Sequence, residues 1–194
     1  MLSHKGTVCI QTRRLLLRPF TLQDAPDMYR NWASDPEVTR YLTWLPHRNL
    51  CETENILSAW CVLYDDPHIY NWAIEFSETG EVIGNVSVVN RSERHENCEL
   101  GYCLSRRFWG QALMPEAVSA VLQFLFHDVG FHRVSAWHSA DNLASGRVMQ
   151  KCGMLHEGTT REAWLTRDGT FADLCVYGIT RDQVELRKQG EQNP

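Results

Sequence analysis

Apolar residues follow a helical period in four segments of the chain. In the first segment they recur at intervals of three and four residues, at Ala25, Met28, Tyr29, Trp32 and Ala33. This stripe predicts an amphipathic helix that Thr21 caps and that Ser34-Asp35-Pro36 ends. The same period predicts helices over about 52–64, 111–127 and 144–152, and Gly130 closes the third of these.

Alternating or short apolar runs predict strands in the rest of the chain. These runs are 14–18, 69–76, 82–89, 98–104, 133–138, 154–165 and 171–180. Turn residues at Glu78-Thr79-Gly80 and Arg167-Asp168-Gly169 separate two pairs of strands, as in hairpins. The predicted order is β-α-α-β-β-β-α-β-α-β-β, which indicates a mixed α/β or α+β layer with about seven strands and about four helices.

The length of 194 residues suits one domain with its own hydrophobic core. We expect that core to span about 12–180, with a loose N-terminus over 1–8 and a polar tail over 182–194. The most apolar stretch, 117–126, is too short and too polar for a membrane span. Arginines replace the apolar centre of a secretory signal near the N-terminus, so we expect a cytoplasmic protein.

Charge and cysteine content exclude further classes of function. Lys plus Arg is 19 and Asp plus Glu is 24, and the resulting net charge of −5 argues against a general nucleic-acid binder. The seven cysteines are scattered without a Cys-x-x-Cys pair, which indicates reduced thiols. The eight histidines show no metal-ligand spacing, so we expect no metal.

The segment from Glu99 to Glu116 contains the clearest candidate for a ligand site. A predicted strand ends at Leu104, two arginines follow, and Gly110 opens a long helix. Unpaired N–H groups at a helix start attract anions, and a glycine lets a phosphate approach the backbone. The pattern therefore favours a diphosphate site. A plain loop glycine with solvated arginines is the alternative.

A second helix start follows the next strand. Asn142 and Ser145 flank the beginning of that helix, where such residues commonly cap free N–H groups. Capping is therefore the simpler interpretation. The alternative is that two helix starts at neighbouring strand ends form one ligand crevice, as in other α/β folds.

Several motifs, in this order and spacing, resemble the GNAT superfamily of acyl-CoA N-acyltransferases, and within it the branch of ribosomal-protein N-terminal acetyltransferases. The family's diphosphate loop, Arg/Gln-x-x-Gly-x-Gly/Ala, matches Arg107-Phe108-Trp109-Gly110-Gln111-Ala112. The opening RLLLRPFTLQDAPDMY, Glu99-Leu100-Gly101-Tyr102, Asn142-Leu143-Ala144-Ser145 and Lys151-Cys152-Gly153-Met154 also match. The resemblance covers about Thr12 to Thr180, and it implies a central, mostly antiparallel mixed sheet.

The resemblance implies acetyl-CoA as the cosubstrate. The residues that would hold its diphosphate are Arg107, Gly110, Gln111 and Ala112, with Arg106 and Trp109 beside them. The backbone of Tyr102, Cys103 and Leu104 would pair with the pantetheine arm. Asn142 would bind the pantetheine, and Ser145 would lie near the thioester sulfur.

The implied reaction is acetyl transfer to a primary amine. Glu99 and His138 are the candidate bases, and for each a structural role as a strand polar residue is the alternative. The family's usual tyrosine acid is replaced by Met149. Ser145 is therefore the candidate donor to the leaving thiolate, as in the Rim-type branch.

The acceptor is either a protein N-terminal α-amine or a small amine. Trp44, His47 and Trp164 are the candidate acceptor contacts. A domain that senses acyl-CoA without turnover is the competing function, and Met149 is the feature in its favour. A homodimer agrees with family habit, and neither nucleic acid nor membrane is expected as a partner.

Overall fold

The computed structural model describes residues 2–184 and contains eight strands in that range. They are β1 (Ile10–Gln11), β2 (Leu15–Pro19), β3 (Asn71–Phe76), β4 (Glu81–Ser92), β5 (Asn97–Leu104), β6 (Arg133–Ser139), β7 (Leu155–Leu165) and β8 (Phe171–Thr180). The α-helices are α1 (Ala25–Met28), α2 (Pro36–Thr39), α3 (Leu50–Cys61), α4 (Leu113–Phe124) and α5 (Leu143–Lys151). The mixed, mostly antiparallel α/β fold is confirmed, with the two-residue β1 as an additional strand.

The chain groups into two compact units that alternate along the sequence. The N-unit consists of His4–Val88 and Gly101–Val121. The C-unit consists of the residues up to Ser3, Val89–Leu100 and the residues from Leu122 onward. Of the expected polar tail, residues 185–194 lie outside the described residues.

The N-unit contains the strand order β1-β2-β3-β4-β5. Its first four strands pair antiparallel, and apolar side chains such as Leu17, Trp72 and Ile74 are fully buried. Gly84 is required in β4, because a Cβ there would lie 2.3 Å from the carbonyl oxygen of Cys103. This close approach brings the end of β5 against β4, just before the candidate diphosphate loop.

The first predicted helix is interrupted. Its stripe is buried at Ala25, Met28 and Trp32, but the segment begins as a 3₁₀ turn and becomes π-helical over Tyr29–Ala33. The hydroxyl of Ser34 donates to the carbonyl of Tyr29 at 2.7 Å, which stabilises this wider turn. The helical segment ends at Ala33, so Ser34-Asp35-Pro36 ends it as predicted. A separate short helix, α2, then begins at Pro36, and Asp35 caps it.

The C-unit contains the order β5-β6-β8-β7. Asn97–Glu99 of β5 pair in parallel with Arg133–Ser135 of β6, and β8 pairs antiparallel with both β6 and β7. The β7–β8 pairing contains two register shifts, one near Gly158 and one between Thr160 and Trp164. Most residues of β7 are exposed.

The N-terminal segment is tied to its unit by hydrogen bonds. The N–H of Gly6 donates to the carbonyl of Pro67, and the hydroxyl of Thr7 donates to the carbonyl of Ile69. These bonds hold Gly6 and Thr7, and the loose N-terminus over 1–8 stays a prediction. Gly130 has a φ of 98°, which supports its predicted position beyond a helix end. Within residues 2–184, no helix has the length and apolarity that a membrane crossing requires.

Candidate functional site

The candidate diphosphate loop lies in the N-unit, between β5 and α4. A 3₁₀ turn over Arg106–Phe108 follows β5, and Gly110 and Ala112 both have left-handed backbones, with φ of 77° and 57°. Two left-handed residues so close together turn the chain sharply before α4 begins at Leu113. Pro115 is the third residue of α4, where no internal N–H bond is lost.

Both arginines of the loop make ion pairs. Arg107 donates to Glu81 at 3.0 Å, and Arg106 pairs with Asp35 at 3.2 Å. Burial alone would raise the pKa of Glu81, but hydrogen bonds from Asn31, Arg30 and Arg107 lower it. Glu81 is therefore ionised at neutral pH, and the loop arginines are partly neutralised rather than merely solvated.

Trp109 and Gln111 stabilise the loop from within. The indole N–H of Trp109 donates to the carbonyl of Leu104 at 2.8 Å. The side-chain amide of Gln111 donates to the carbonyl of Arg107 at 3.2 Å. Both bonds join the loop to itself or to the end of β5, so short-range contacts contribute to its shape.

The predicted pantetheine-binding strand segment is Tyr102, Cys103 and Leu104. Cys103 is buried and its thiol donates to the side-chain oxygen of Asn85 at 2.9 Å. Burial raises the pKa of Cys103 to about 12, so this thiol is neutral and acts as a structural side chain. The carbonyl of Leu104 already accepts from Trp109.

Asn142 and Ser145 lie at the start of α5, in the C-unit. The side-chain oxygen of Asn142 accepts from the N–H of Ser145 at 3.3 Å. The side-chain oxygen of Asn142 therefore caps the start of α5, as the simpler interpretation of the sequence proposes. Binding of pantetheine by Asn142, and a role of Ser145 toward the sulfur, remain predictions.

His138 is buried at the end of β6, with 5% of its surface exposed. Its Nδ1 lies 2.7 Å from the carbonyl oxygen of Ser139. Because a carbonyl only accepts, Nδ1 has a proton, and Nε2 is the ring nitrogen at which a proton can be gained or lost. Nε2 is buried without a hydrogen-bond partner among the described residues. Nε2 lies beside Gly146 of α5, and His138 as a residue is part of the lining of an open cavity of about 190 Å³.

Glu99 lies on β5 beside two tryptophans of the C-unit. Its carboxylate accepts from the indole N–H of Trp137 at 3.0 Å, and the ring of Trp137 packs on that of Trp164 at 5.1 Å. Trp137 was not among the predicted site residues. Its only sequence signal is its place on the strand after β5, and the pairing register that brings it to Glu99 cannot be read from one sequence.

Two of the predicted acceptor contacts lie in the N-unit. Trp44 packs on His47 at 5.2 Å, and His47 has 8% of its surface exposed, with Nδ1 2.8 Å from the hydroxyl of Thr53. Burial lowers the pKa of His47. These contacts indicate that His47 is a packed, neutral side chain. The third predicted acceptor contact, Trp164, lies in the C-unit.

Over residues 2–184, no three His, Cys, Asp or Glu side chains converge as a ligand group. All seven cysteines are free thiols.

Comparisons with known proteins place these features in a family. The family model described as an acetyltransferase (GNAT) domain matches residues 14–155. The uncharacterized N-acetyltransferase YoaA of Bacillus subtilis is 30% identical over 172 residues, which are 89% of this chain and 96% of YoaA.

A second relative and a solved structure add to this match. The [ribosomal protein uS5]-alanine N-acetyltransferase of Escherichia coli is 28% identical over 152 residues, 66% of this chain and 77% of that protein. The crystal structure of the microcin C7 self-immunity acetyltransferase MccE, in complex with acetyl-CoA and AMP, has the same fold. Its TM-score is 0.76 at 18% identity, over 87% of this chain and 93% of that one.

Proposed function

The chain belongs to the GNAT acetyltransferase family and is an acetyl-CoA-dependent acetyltransferase, and on that premise we propose that its acceptor is a protein N-terminal α-amine. A relative named for acetylating the alanine of a ribosomal protein supports this choice. A small amine is the second candidate acceptor. The proposal includes a cytoplasmic location, where the seven thiols stay reduced.

The diphosphate loop is the observation on which the cofactor assignment rests. Its glycine and Ala112 are left-handed, and α4 starts directly after them with N–H groups that have no helical partner. We assign the diphosphate to Arg107, Gly110, Gln111 and Ala112, with Arg106 and Trp109 adjacent. A guanidinium has five N–H donors, so either arginine can bind a phosphate oxygen through donors that its carboxylate partner does not use.

The remaining assignments concern the pantetheine and the chemical step. Tyr102, Cys103 and Leu104 pair with the pantetheine through their backbone, and Asn142 binds it through its side chain. The neutral amine attacks the thioester carbonyl, and the C–S bond then breaks to release the CoA thiolate. Ser145 supplies a hydroxyl proton to that sulfur and regains one from solvent, and the proton lost by the amine passes to a base.

Glu99 and His138 are the two candidates for the base. Glu99 is a half-buried carboxylate, and Nε2 of His138 has no hydrogen-bond partner among the described residues. The pH profiles of kcat/KM for Glu99→Gln and His138→Gln distinguish them. The variant that lacks the base loses the acid limb of the profile, and two unchanged profiles would exclude both residues.

The acceptor is tested after calorimetric titration of acetyl-CoA into protein freed of CoA. One site per chain is expected, and absence of binding would contradict the cofactor assignment. Thiol release is then measured with a peptide that begins with alanine, the same peptide N-acetylated, and a polyamine. Release with the first peptide alone supports the α-amine acceptor. Release with the polyamine alone supports a small amine, and binding without release from any amine supports an acyl-CoA sensor.

A further inference from the structure

Arg14 lies outside every predicted site, yet it reaches the diphosphate loop. It precedes β2, and its Nη1 donates to the carbonyl oxygen of Gln111 at 3.0 Å. Its Nε donates to Glu116, in the first turn of α4, at 2.7 Å. One guanidinium therefore joins the last turn of the loop to the start of the helix.

Glu116 holds that guanidinium in place. Its other oxygen accepts from the hydroxyl of Thr12 at 2.7 Å and from the backbone N–H of Arg14 at 2.8 Å. Burial alone would raise the pKa of Glu116, but these bonds and the charge of Arg14 lower it. The carboxylate is ionised at neutral pH, so the pair keeps its charge-assisted bonds.

The bond to Gln111 fixes the orientation of one peptide plane. Every peptide bond in the described chain is trans, so the C=O of Gln111 and the N–H of Ala112 point in opposite directions. Because the carbonyl faces Arg14, the N–H of Ala112 faces away from it. That N–H belongs to the residue with a φ of 57°, at the turn assigned to the diphosphate.

We propose that Arg14 is a positioning residue for the diphosphate loop, which it serves by holding the Gln111–Ala112 peptide in the orientation that presents the Ala112 N–H to the ligand. The guanidinium binds the carbonyl side of the peptide, and the phosphate binds the amide side. Arg14 itself does not contact the ligand. The inference rests on the proposed cofactor assignment of this loop.

The test compares three acetyl donors that differ at the diphosphate. Acetyl-CoA and acetyl-dephospho-CoA contain it, and S-acetylpantetheine lacks it. Arg14→Gln is expected to raise KM for the first two donors by about tenfold, the equivalent of one oriented hydrogen bond. KM for S-acetylpantetheine and kcat at saturation are expected to stay within about twofold.

Arg133→Gln is the matched control. Arg133 pairs with Glu157 in the C-unit, and both it and Arg14 have side chains that are 30% exposed. Arg133→Gln removes a comparable ion pair that does not contact the diphosphate loop. The ratio of the KM values for the three donors should therefore not change. Arg14→Lys keeps the charge but lacks the planar guanidinium, which reaches Glu116 and Gln111 through two separate nitrogens. If Arg14→Gln does not fold, Arg14→Lys is the variant to measure. Its KM is expected to rise for acetyl-CoA and acetyl-dephospho-CoA but not for S-acetylpantetheine.

The outcomes separate this inference from the proposed function. Wild-type protein that neither binds nor uses acetyl-CoA contradicts the cofactor assignment itself. Active wild-type protein with equal KM changes for all three donors, or with no change in Arg14→Gln and Arg14→Lys, overturns the positioning role alone.

Discussion

The substitution Gly146→Ala tests the close packing of α5 on His138. A Cβ at position 146 lies 2.6 Å from Nε2 and 3.1 Å from Cε1 of the ring, whereas comfortable contacts lie near ~3.5 Å. The ring cannot retreat freely, because its Nδ1 is bonded to the Ser139 carbonyl and its face packs on Tyr177 at 5.6 Å. Either the ring or α5 must move.

Two opposing free energies set the size of the effect. Alanine in a helix interior is favoured over glycine by about 1 kcal/mol, and overpacking a buried contact costs about 1–3 kcal/mol. The expected net change is a destabilisation of about 1 kcal/mol, which corresponds to a fall in Tm of about 2–4 °C for a chain of this length. Scanning calorimetry or denaturant unfolding measures it.

A double-mutant cycle identifies the cause. In the His138→Ala background the ring is absent, so Gly146→Ala should stabilise the protein by about 1 kcal/mol through helix propensity. The sign of the effect therefore reverses between the two backgrounds. Gly158→Ala is a control, because no atom lies within 4 Å of a Cβ at that position. Stabilisation by Gly146→Ala of the same size in both backgrounds would refute the described contact.

Three further measurements test other features. Gly110→Ala places a side chain on a backbone with a φ of 77°, where no atom clashes with it. It should cost about 1–2 kcal/mol of stability through backbone strain alone and weaken acetyl-CoA binding in calorimetry. Unchanged stability would contradict the left-handed turn. Because the pKa of Glu116 is lowered in the fold, wild-type protein should be more stable than Glu116→Gln by about 1–2 kcal/mol above pH ~4.5. This difference in stability should disappear as the pH falls through the pKa of Glu116 in the folded protein. Denaturant unfolding of both proteins at several pH values measures it, and a difference that does not change with pH would contradict the prediction. Alkylation at pH 8 followed by mass spectrometry should modify the exposed Cys9 and Cys51 and spare Cys103, whose pKa is about 12; rapid labelling of Cys103 would contradict its burial.

Local sequence chemistry was sufficient for part of the structure near the loop. The end of β5 at Leu104 and the position of Pro115 in the first turn of α4 follow from short-range preferences, and the structure has both. The helix does not open at Gly110 as predicted but begins at Leu113, because Gly110 and Ala112 have left-handed backbones. The helix of residues 25–33 shows the limit of such reasoning. Its apolar stripe was correct, but the π-helical turn depends on a hydroxyl bond from Ser34 that no periodicity reveals.

Long-range partners could not be predicted from one sequence. Arg107 meets Glu81 from a strand 26 residues earlier, and Arg14 reaches Gln111 across 97 residues. Which charges meet depends on strand register and loop conformation, and these are set by packing of the whole unit. The sequence therefore predicted which loop is the anion site, but not the side chains that hold the peptides of that loop in place.

The exposed strand β7 has a consequence for self-association. It lies last in the strand order of the C-unit, so its outer backbone groups are a potential template for another chain. The two register shifts, together with a left-handed Glu162, break its 11 residues into short stretches that cannot align with a straight partner strand. A dimer of this protein would therefore have to form through side-chain packing rather than by continuing the sheet along β7.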